Sequence, residues 1–498
     1  MLSLFNHNLK REKMKTIIPT SLIVLLLIFF VPTFALAADA TINSTNSPYN
    51  ISSHNNPDVI TIESGSTITL QGSATEVRIV CEANVSIILE TVVIVNTIDD
   101  YSPIRFSSGT NFLELDGDSS LYAGENEPGL GIFNSSTTLT ISDKNDDGAL
   151  ESYGGTRGAG IGGGDGDEIG TIIITGGEII AEGDEGAGIG LGDAGVASGN
   201  ILITGGEITA NGGSFCCGIG GANESDPVTK IEIIGGKIRA TGKDRAAGIG
   251  GYKHSGQIII RGGEVTASNS TSMGAGIGGG HKGSCGDIKI YGGTIIANSM
   301  YGAGIGNGDA GNGGSIAIHG GSIEAKGMVN GAGIGGANES VNPPSVTITG
   351  GTITAEGLDN SAGIGGGYDC NGSVVNITGG TIYATGDVAG TAQDIGMGYD
   401  STSATHQGSL FMRASNATMA VFIKNERANS VDPTDPEPDY YVINSLADIP
   451  DGVTPPAWSF PYGLYYQYKM IANPQTGNIG WLETIFDWLR LPTLFEHF

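Results

Sequence analysis

The sequence is poor in basic residues. In 498 residues, 23 Lys and Arg stand against 52 Asp and Glu, a formal net charge of −29. Nucleic-acid-binding proteins use basic patches to meet the phosphates, so this balance argues against a nucleic acid partner. Proline is also sparse, with 18 residues, whereas glycine reaches 84. Collagen needs abundant proline and a three-residue glycine period, and the sequence has neither. Disordered chains have few apolar residues, whereas 39% of this chain is hydrophobic.

Long apolar runs are also lacking, except for one at residues 17–31. It follows a basic stretch at 10–15, and Ala35-Leu36-Ala37 then supplies the small residues of a cleavage site. This layout predicts a secretory signal peptide over 1–37, whose removal changes the net charge from −29 to −32. An uncleaved membrane anchor is the alternative, because the run is near the length that spans a bilayer. After cleavage we expect no membrane span.

A repeat organises the middle of the chain. Gly-Ile-Gly or a close variant recurs every 28 to 31 residues, with isoleucines at Ile161, Ile189, Ile219, Ile249, Ile277, Ile305, Ile334, Ile364 and, in a degenerate copy, Ile395. A Gly-Gly pair interleaves, beginning at Gly176, Gly205, Gly235, Gly262, Gly292, Gly320, Gly350 and Gly379. Apolar residues alternate with polar ones on both sides of each Gly-Gly pair, which is typical of short strands. A period of this length indicates a solenoid.

Such short strands must pair with the equivalent strands of the next coil, about 4.8 Å away. The sequence therefore predicts an all-β, parallel β-helix of about 29-residue coils with a small C-terminal module. Right-handed winding is expected by analogy with parallel crossovers. The predicted organisation is a signal peptide at 1–37, irregular N-terminal coils and a cap at 38–138, the repeat array at 139–425, a Pro-rich linker at 431–438 and an aromatic C-terminal module at 439–498.

Cysteine is limited to five residues, an odd number, and no CxxC pair indicates a metal site. In stacked coils, cysteines two or more coils apart are too distant for a disulfide. Inside the array this leaves Cys216 and Cys217, which are adjacent in the sequence, as the one pair that could bond.

The segments GGEITANGG, GAGIGGG and SVTITGGTITAEG resemble β-solenoid surface proteins of bacteria and some archaea, which carry tandem GGTITA…GAGIGGG units after a signal peptide. The resemblance covers roughly residues 58–425. Some of these proteins are described as carbohydrate-binding domain proteins. The resemblance therefore implies a secreted or cell-surface location and implies no catalytic motif.

Asp143, Asn145 and Asp147 form the first half of a calcium-loop pattern, D-x-N-x-D-G, with oxygen ligands at alternate positions before a glycine. The twelfth position, which supplies a bidentate Glu in such loops, is Gly154. An ordinary Asp/Asn turn is the alternative. No cofactor other than calcium is indicated.

Basic side chains concentrate in two neighbouring coils of this acidic chain. Lys237, Arg239 and Arg261 are candidates for binding an anionic glycan such as a uronate polymer; the alternative is that they balance nearby acids. Glu178 and Glu207 occupy equivalent positions in successive coils. They are either the carboxylate pair that an enzyme would need or part of a solvated charge ladder.

Together these features predict an exported, non-enzymatic repeat protein that presents a β-solenoid face for adhesion or glycan binding. Its expected partner is a polysaccharide or a cell-surface glycan. Two alternatives remain open: a β-helix polysaccharide lyase or hydrolase, and a structural spacer. The sequence does not identify the ligand or the oligomeric state.

Overall fold

The computed structural model describes residues 39–196, 199–269, 272–387, 392 and 394–398, together with the backbone of four later strands, Gly408–Met412, Met419–Lys424, Tyr440–Val442 and Tyr466–Met470. The predicted signal peptide, the linker and most of the C-terminal module lie outside the described residues. The described helices are two short 3-10 turns, Ser44–Asn46 and Ile51–Ser53. No helix in this part of the chain has the length and apolarity needed to cross a membrane.

Each coil of the array contributes one strand to each of three parallel sheets, which we call sheets A, B and C. Sheet A contains the strands before the Gly-Gly pairs. It runs through Thr110–Asp116, Thr138–Ser142, Thr171–Ile174, Asn200–Ile203, Lys230–Ile233, Gln257–Ile260, Asp287–Ile290, Ser315–Ile318, Ser345–Ile348, Val374–Ile377, Gly408–Met412 and Tyr466–Met470.

Sheet B contains the strands after the Gly-Gly pairs. It runs through Asp118–Tyr122, Ala149–Tyr153, Glu178–Glu182, Glu207–Asn211, Lys237–Thr241, Glu264–Asn269, Thr294–Ser299, Ser322–Gly327, Thr352–Gly357, Gly380–Thr385 and Met419–Lys424. Tyr440–Val442 adds to its last strand in the antiparallel direction.

Sheet C is built mainly from two-residue Ile-Gly strands. It runs through Ala40–Ile42, Asn55–Ile62, Ile104–Phe106, Leu130–Ile132, Ile161–Gly162, Ile189–Gly190, Ile219–Gly220, Ile249–Gly250, Ile277–Gly278, Ile305–Gly306, Ile334–Gly335, Ile364–Gly365 and Ile395–Gly396. Between Asn55–Ile62 and Ile104–Phe106 the sheet is completed by the end of the long strand Thr67–Cys81.

The first coils are less regular because two long strands pass from one face to the next. Thr67–Cys81 pairs at its start with Tyr49–Asn50 and at its end with sheet C. Ser86–Val95 pairs with Thr67–Cys81, and its two halves also join sheets A and B.

The core is a stack of aliphatic columns. In sheet A, Ile172, Ile201 and Ile231 are in register and at most 2% exposed, and each buried isoleucine contributes roughly 1.5–3 kcal/mol. In sheet B, Ala181 and Ala210 stack in the same way. The all-β parallel β-helix predicted from the sequence is confirmed, with about 11 turns that lie about 29 residues apart.

The glycines of the Gly-Ile-Gly repeat have a role in the sheet itself. The second of them, such as Gly190 or Gly220, lies within sheet C at a φ of 143° or 132°. A Cβ on Gly220 would lie 2.0 Å from the carbonyl oxygen of Gly250 in the next coil. Glycine is therefore needed because neighbouring coils approach too closely for any side chain.

Candidate functional site

The Gly-Gly turns are aligned along the rod and separate two rows of outward side chains. We call these rows, the residues directly before and directly after each pair, the Gly-Gly strip. The first row is Thr175, Thr204, Ile234, Arg261, Tyr291, His319, Thr349 and Thr378; the second is Glu178, Glu207, Lys237, Glu264, Thr294, Ser322, Thr352 and Thr381. The second glycine has positive φ, for example 98° at Gly293. The two glycines carry no side chain, so backbone is accessible between the rows.

The downstream half of the strip is a continuous column of polar and aromatic groups. The Arg261 guanidinium lies over the Tyr291 ring, with its Cζ 5.0 Å from the ring centroid. The Tyr291 and His319 rings are stacked with centroids 4.8 Å apart. His319 Nδ1 and Thr349 Oγ1 are hydrogen-bonded at 2.9 Å. Tyr291 is still 43% exposed, so its edge and hydroxyl remain accessible to a ligand.

The three basic candidates from the sequence are all paired with carboxylates. Lys237 Nζ lies 2.7 Å and Arg239 Nη1 2.9 Å from the same Glu207 oxygen, Oε1. Arg261 Nε donates to Glu232 Oε1 at 2.7 Å. The two pairs with Glu207 are exposed, and such pairs stabilise a fold by less than about 1 kcal/mol, whereas the Glu232 carboxylate is largely buried. Their main effect here is to neutralise the charge that a glycan would need.

These contacts lower the pKa values of the two acceptor carboxylates, Glu207 and Glu232. Hydrogen bonds from Lys237 and then Arg239 hold the pKa of Glu207 below its usual range. Hydrogen bonds from Lys230 and then Arg261 do the same for Glu232. Both groups are therefore ionised at neutral pH.

At the upstream end of the strip, the fold brings together two sets of acidic residues that are separate in the sequence. Glu178 and Glu207 are direct partners on sheet B. They line an open depression of about 410 Å³ together with Asp118, Asp143, Asp146 and Asp147. The carboxylate pair and the calcium-loop pattern thus belong to one acidic surface.

The calcium-loop residues form a hydrogen-bonded turn. Asp143 Oδ1 accepts from the Asn145 backbone N–H at 3.2 Å, and Asp143 Oδ2 accepts from the Gly148 N–H at 3.1 Å. Asn145 and Asp147 are exposed. Across the described ranges, no group of three or more His, Cys, Asp or Glu side chains is arranged to hold a metal ion. The calcium site stays a prediction.

A second cluster lies beside the sheet C strands of the third and fourth coils: Phe215 and Arg245 precede Ile219–Gly220 and Ile249–Gly250, and Tyr252 and Lys253 follow the second of these strands. We call Phe215, Arg245, Tyr252 and Lys253 the corner cluster. The Phe215 and Tyr252 rings meet edge to face, 6.4 Å apart at an angle of 82°. Arg245 Cζ is 5.7 Å from the Phe215 centroid, and Lys253 Nζ is 5.5 Å from that of Tyr252.

One carboxylate is buried near the N-terminal coils. The Glu127 side chain is 10% exposed; its Oε1 lies 3.3 Å from Arg105 Nη1, and its Oε2 has no hydrogen-bond partner. Burial raises the pKa of Glu127 to about 6, although the guanidinium of Arg105 opposes this shift. The same guanidinium lies 3.7 Å above the Phe133 ring centroid.

The five cysteines are all free and buried. Cys216 belongs to the main core, whereas its neighbour Cys217 packs in a separate cluster with Ala246, Ala247 and Tyr252. The disulfide between Cys216 and Cys217 that the sequence left open is therefore not formed. The adjacent side chains lie in different clusters, which separates the two sulfurs.

Sequence reasoning counted Arg245 and Lys253 among the basic residues concentrated in two neighbouring coils, but it singled out neither the aromatic column nor the aromatic rings of the corner cluster. A signal for the cluster was present in the repeat: Tyr252 lies three residues after its Gly-Ile-Gly isoleucine, where the other coils have glycine or alanine, as at Gly192, Ala222 and Gly280. The column at Tyr291 had a weaker signal, because its position varies from coil to coil.

Comparison with known proteins supports the repeat architecture. A family model described as "Beta helix repeat" matches seven segments, at residues 172–193, 201–223, 231–252, 258–281, 288–309, 316–338 and 346–368. No curated protein and no solved structure matches the chain. Because β-helix repeats occur in both pectate lyase-like enzymes and non-enzymes, the match leaves the activity open.

Proposed function

We propose that this parallel β-helix repeat protein is exported to the cell surface and acts there as a non-enzymatic rod whose Gly-Gly strip contacts glycans. The observation that carries the proposal is the strip itself. Two rows of mostly exposed polar and aromatic side chains flank a line of accessible glycines and repeat at the strand spacing of about 4.8 Å. A linear polysaccharide also repeats along its length, so successive coils can offer donors and acceptors to successive sugars.

The downstream half of the strip has suitable chemistry for sugar recognition. Tyr291, His319, Thr294 and Ser322 supply hydroxyl and ring-nitrogen groups that donate and accept hydrogen bonds. The faces of the Tyr291 ring are covered by Arg261 and His319, so a ligand would meet its edge and hydroxyl. Because both neighbours hold the ring in place, little side-chain entropy would be lost on binding.

The glycan contact is tested by measuring binding of the full chain to a glycan array and then to the best-bound polymer. Replacing Tyr291→Ala together with Thr294→Ala should weaken that binding about tenfold, because two side chains that meet the sugar are removed. Thr266→Ala, an outward residue of sheet B away from the strip, is the matched control and should change it less than about twofold. Equal losses in both variants would reject the strip, and binding to no glycan would favour the structural spacer.

Export is supported by the basic, apolar and small-residue layout of residues 1–37. N-terminal sequencing of protein recovered from the medium or stripped from intact cells should begin at Ala38. Retention of the chain inside cells with an intact N-terminus would contradict this part of the proposal.

A polysaccharide-cleaving enzyme is the second candidate, and the acidic depression is the observation that favours it. Glu178 and Glu207 are ladder partners, so their backbones lie about 4.8 Å apart. Retaining glycosidases hold their two carboxyl groups roughly 5–5.5 Å apart, a separation that side chains on neighbouring strands can reach. Lys237 and Arg239 keep Glu207 ionised, as a nucleophile requires.

Incubation of the full chain with pectin and related polymers tests this candidate. An enzyme would release shorter chains, and both Glu178→Gln and Glu207→Gln would abolish release, whereas Thr354→Ala, an outward residue of sheet B outside the strip, would not. No release from any polymer would reject the enzyme at this site.

A further inference from the structure

The corner cluster contains an arginine whose charge is not balanced. Arg245 is exposed and has no carboxylate partner among the described residues, whereas Arg239 and Arg261 on the sheets are ion-paired. Lys253 has one weak contact, 3.4 Å from Glu224, whose side chain is 62% exposed. Lys243, exposed and two residues before Arg245, is also without a carboxylate partner in this part of the chain. Lys243, Arg245 and Lys253 stand against two nearby carboxylates, Asp244 and Glu224, so the corner keeps a net positive charge on an acidic rod.

Aromatic rings lie against two of these cations, Arg245 and Lys253, and Lys253 also contacts Glu224. Arg245 lies against Phe215, and Lys253 lies against Tyr252. A cation–π contact stabilises the position of a cation but leaves its full charge, whereas an ion pair cancels it. The cations of the corner cluster thus remain available to an anion from solution.

The cluster is built by local departures from the repeat. Tyr252 replaces the usual glycine or alanine, and Cys217 replaces the alanine found at Ala187 and Ala275. Tyr252 is 7% exposed and packs on Cys217, while Phe215 remains 37% exposed beside it. Departures from a regular pattern that cluster at one place are expected at functional sites.

The backbone under the cluster is fixed by the next coil. The His281 N–H donates to the Arg245 carbonyl at 2.8 Å, and the Gly280 N–H donates to the Lys253 carbonyl at 2.9 Å. The cations and the exposed ring therefore start from a rigid platform, and binding would cost little ordering.

We propose that the corner cluster binds a carboxylate-bearing polysaccharide, with Arg245 and its neighbouring lysines pairing with sugar carboxylates and Phe215 contacting the sugar ring. This inference rests on the proposed function in assuming that the rod meets glycans, but it concerns a different surface. Charge complementarity selects an acidic polymer. The choice of a polysaccharide over a nucleic acid follows from the proposed function, and the titration below separates the two because both polymers are anionic.

The test is titration of the full chain with an oligogalacturonate, with its methyl ester as the uncharged match and an oligothymidylate as the nucleic acid. We expect binding to the acid form that weakens with salt, and at least about tenfold weaker binding to the other two. Equal binding of the methyl ester or of the oligothymidylate would overturn the proposal, as would no binding of the acid form.

Two arginine variants test whether binding depends on the corner cluster or on a basic residue elsewhere in the array. Arg245→Gln should weaken binding of the acid form about tenfold. Arg157→Gln is the matched control: Arg157 also lies four residues before its Gly-Ile-Gly isoleucine, but it is paired with Asp165 at 2.8 Å. Its replacement should change binding less than about twofold. Phe215→Leu should weaken binding while circular dichroism stays unchanged.

Equal effects of Arg245→Gln and Arg157→Gln would overturn the assignment of the corner. If neutral glycans bind through the Gly-Gly strip while the acid form does not bind, the proposed function stands and this inference fails.

Discussion

Tyr291 and His319 lie one coil apart, and their rings stack with centroids separated by 4.8 Å and planes inclined by 20°. The ring separation matches the spacing of parallel strands, about 4.8 Å, because the two residues precede equivalent Gly-Gly turns. Side chains at equivalent positions of successive coils in a β-solenoid therefore lie next to each other. Surface columns form by stacking in the same way as the isoleucine columns of the core.

Tyr291 and its neighbour Ile290 should respond very differently to truncation. Ile290 is fully buried, so Ile290→Ala should lower the free energy of unfolding by about 2–5 kcal/mol. Tyr291→Ala should lower it by less than about 1.5 kcal/mol, because the side chain is exposed and loses mainly its ring contacts. Chemical denaturation of both variants measures this, and similar losses would contradict the inward and outward assignment.

Gly220→Ala should be strongly destabilising. The new Cβ would lie 2.0 Å from the Gly250 carbonyl oxygen, at a φ of 132°, so neighbouring coils would have to separate. We expect a loss of about 3 kcal/mol or more in the free energy of unfolding. Gly166→Ala is the control: its φ is also positive, but nothing lies within 4 Å of the new Cβ, and it should cost about 1 kcal/mol.

Glu127→Gln should make stability less sensitive to pH. The pKa of Glu127 is raised to about 6 in the folded protein, so its favourable neutral form is lost as the pH rises through that value. Between pH 4 and pH 8, the wild type should therefore lose roughly 2 kcal/mol relative to the variant. Denaturation curves at the two pH values give this difference. The exposed Glu125→Gln should show none.

The thiols should be inert while the protein is folded. Burial raises the pKa of Cys217, Cys285 and Cys370 to about 12, and it raises those of Cys81 and Cys216 as well. Because the thiolate is the reactive species, Ellman's reagent should not label the native chain and should label all five cysteines in guanidinium chloride. Rapid labelling of the native chain would show that the coils open.

Asp143→Ala should weaken its turn even with EDTA present. The carboxylate accepts two backbone N–H groups, from Asn145 and Gly148, and their loss should cost about 1 kcal/mol without any metal. Asp147→Ala removes an exposed carboxylate and should stay within about 0.5 kcal/mol of wild type. If the two variants differ only when calcium is present, the loop is a metal site.

The fold could be predicted because its signals repeat. A single alternation such as Ile172 and Ile174 is weak evidence, but the same alternation at eight Gly-Gly pairs defines a coil length and the strands within it. Sheet C was harder to predict, since a two-residue strand such as Ile189–Gly190 has no periodicity of its own.

The candidate surfaces were less accessible to sequence reasoning for a physical reason. The charge of Arg261 is neutralised by Glu232, which is 29 residues away in the chain. A count of charged residues does not show that these two are neighbours. The corner cluster needs Phe215 and Arg245 to occupy equivalent positions in successive coils. Both residues are visible in the sequence, but their contact follows only once the register is known.

Because the coils repeat, equivalent positions can be compared with one another within the same chain. The glycine after each sheet C isoleucine, from Gly162 to Gly396, never varies among the described coils, whereas the residue before Gly-Gly is Thr, Ile, Arg, Tyr or His in different coils. All coils share the same backbone path. Positions at which every coil has the same residue are therefore fixed by the fold, and positions at which the residue varies are free. The free positions include the strip, so a chain of this kind can change what the strip contacts, one coil at a time, without altering how it folds.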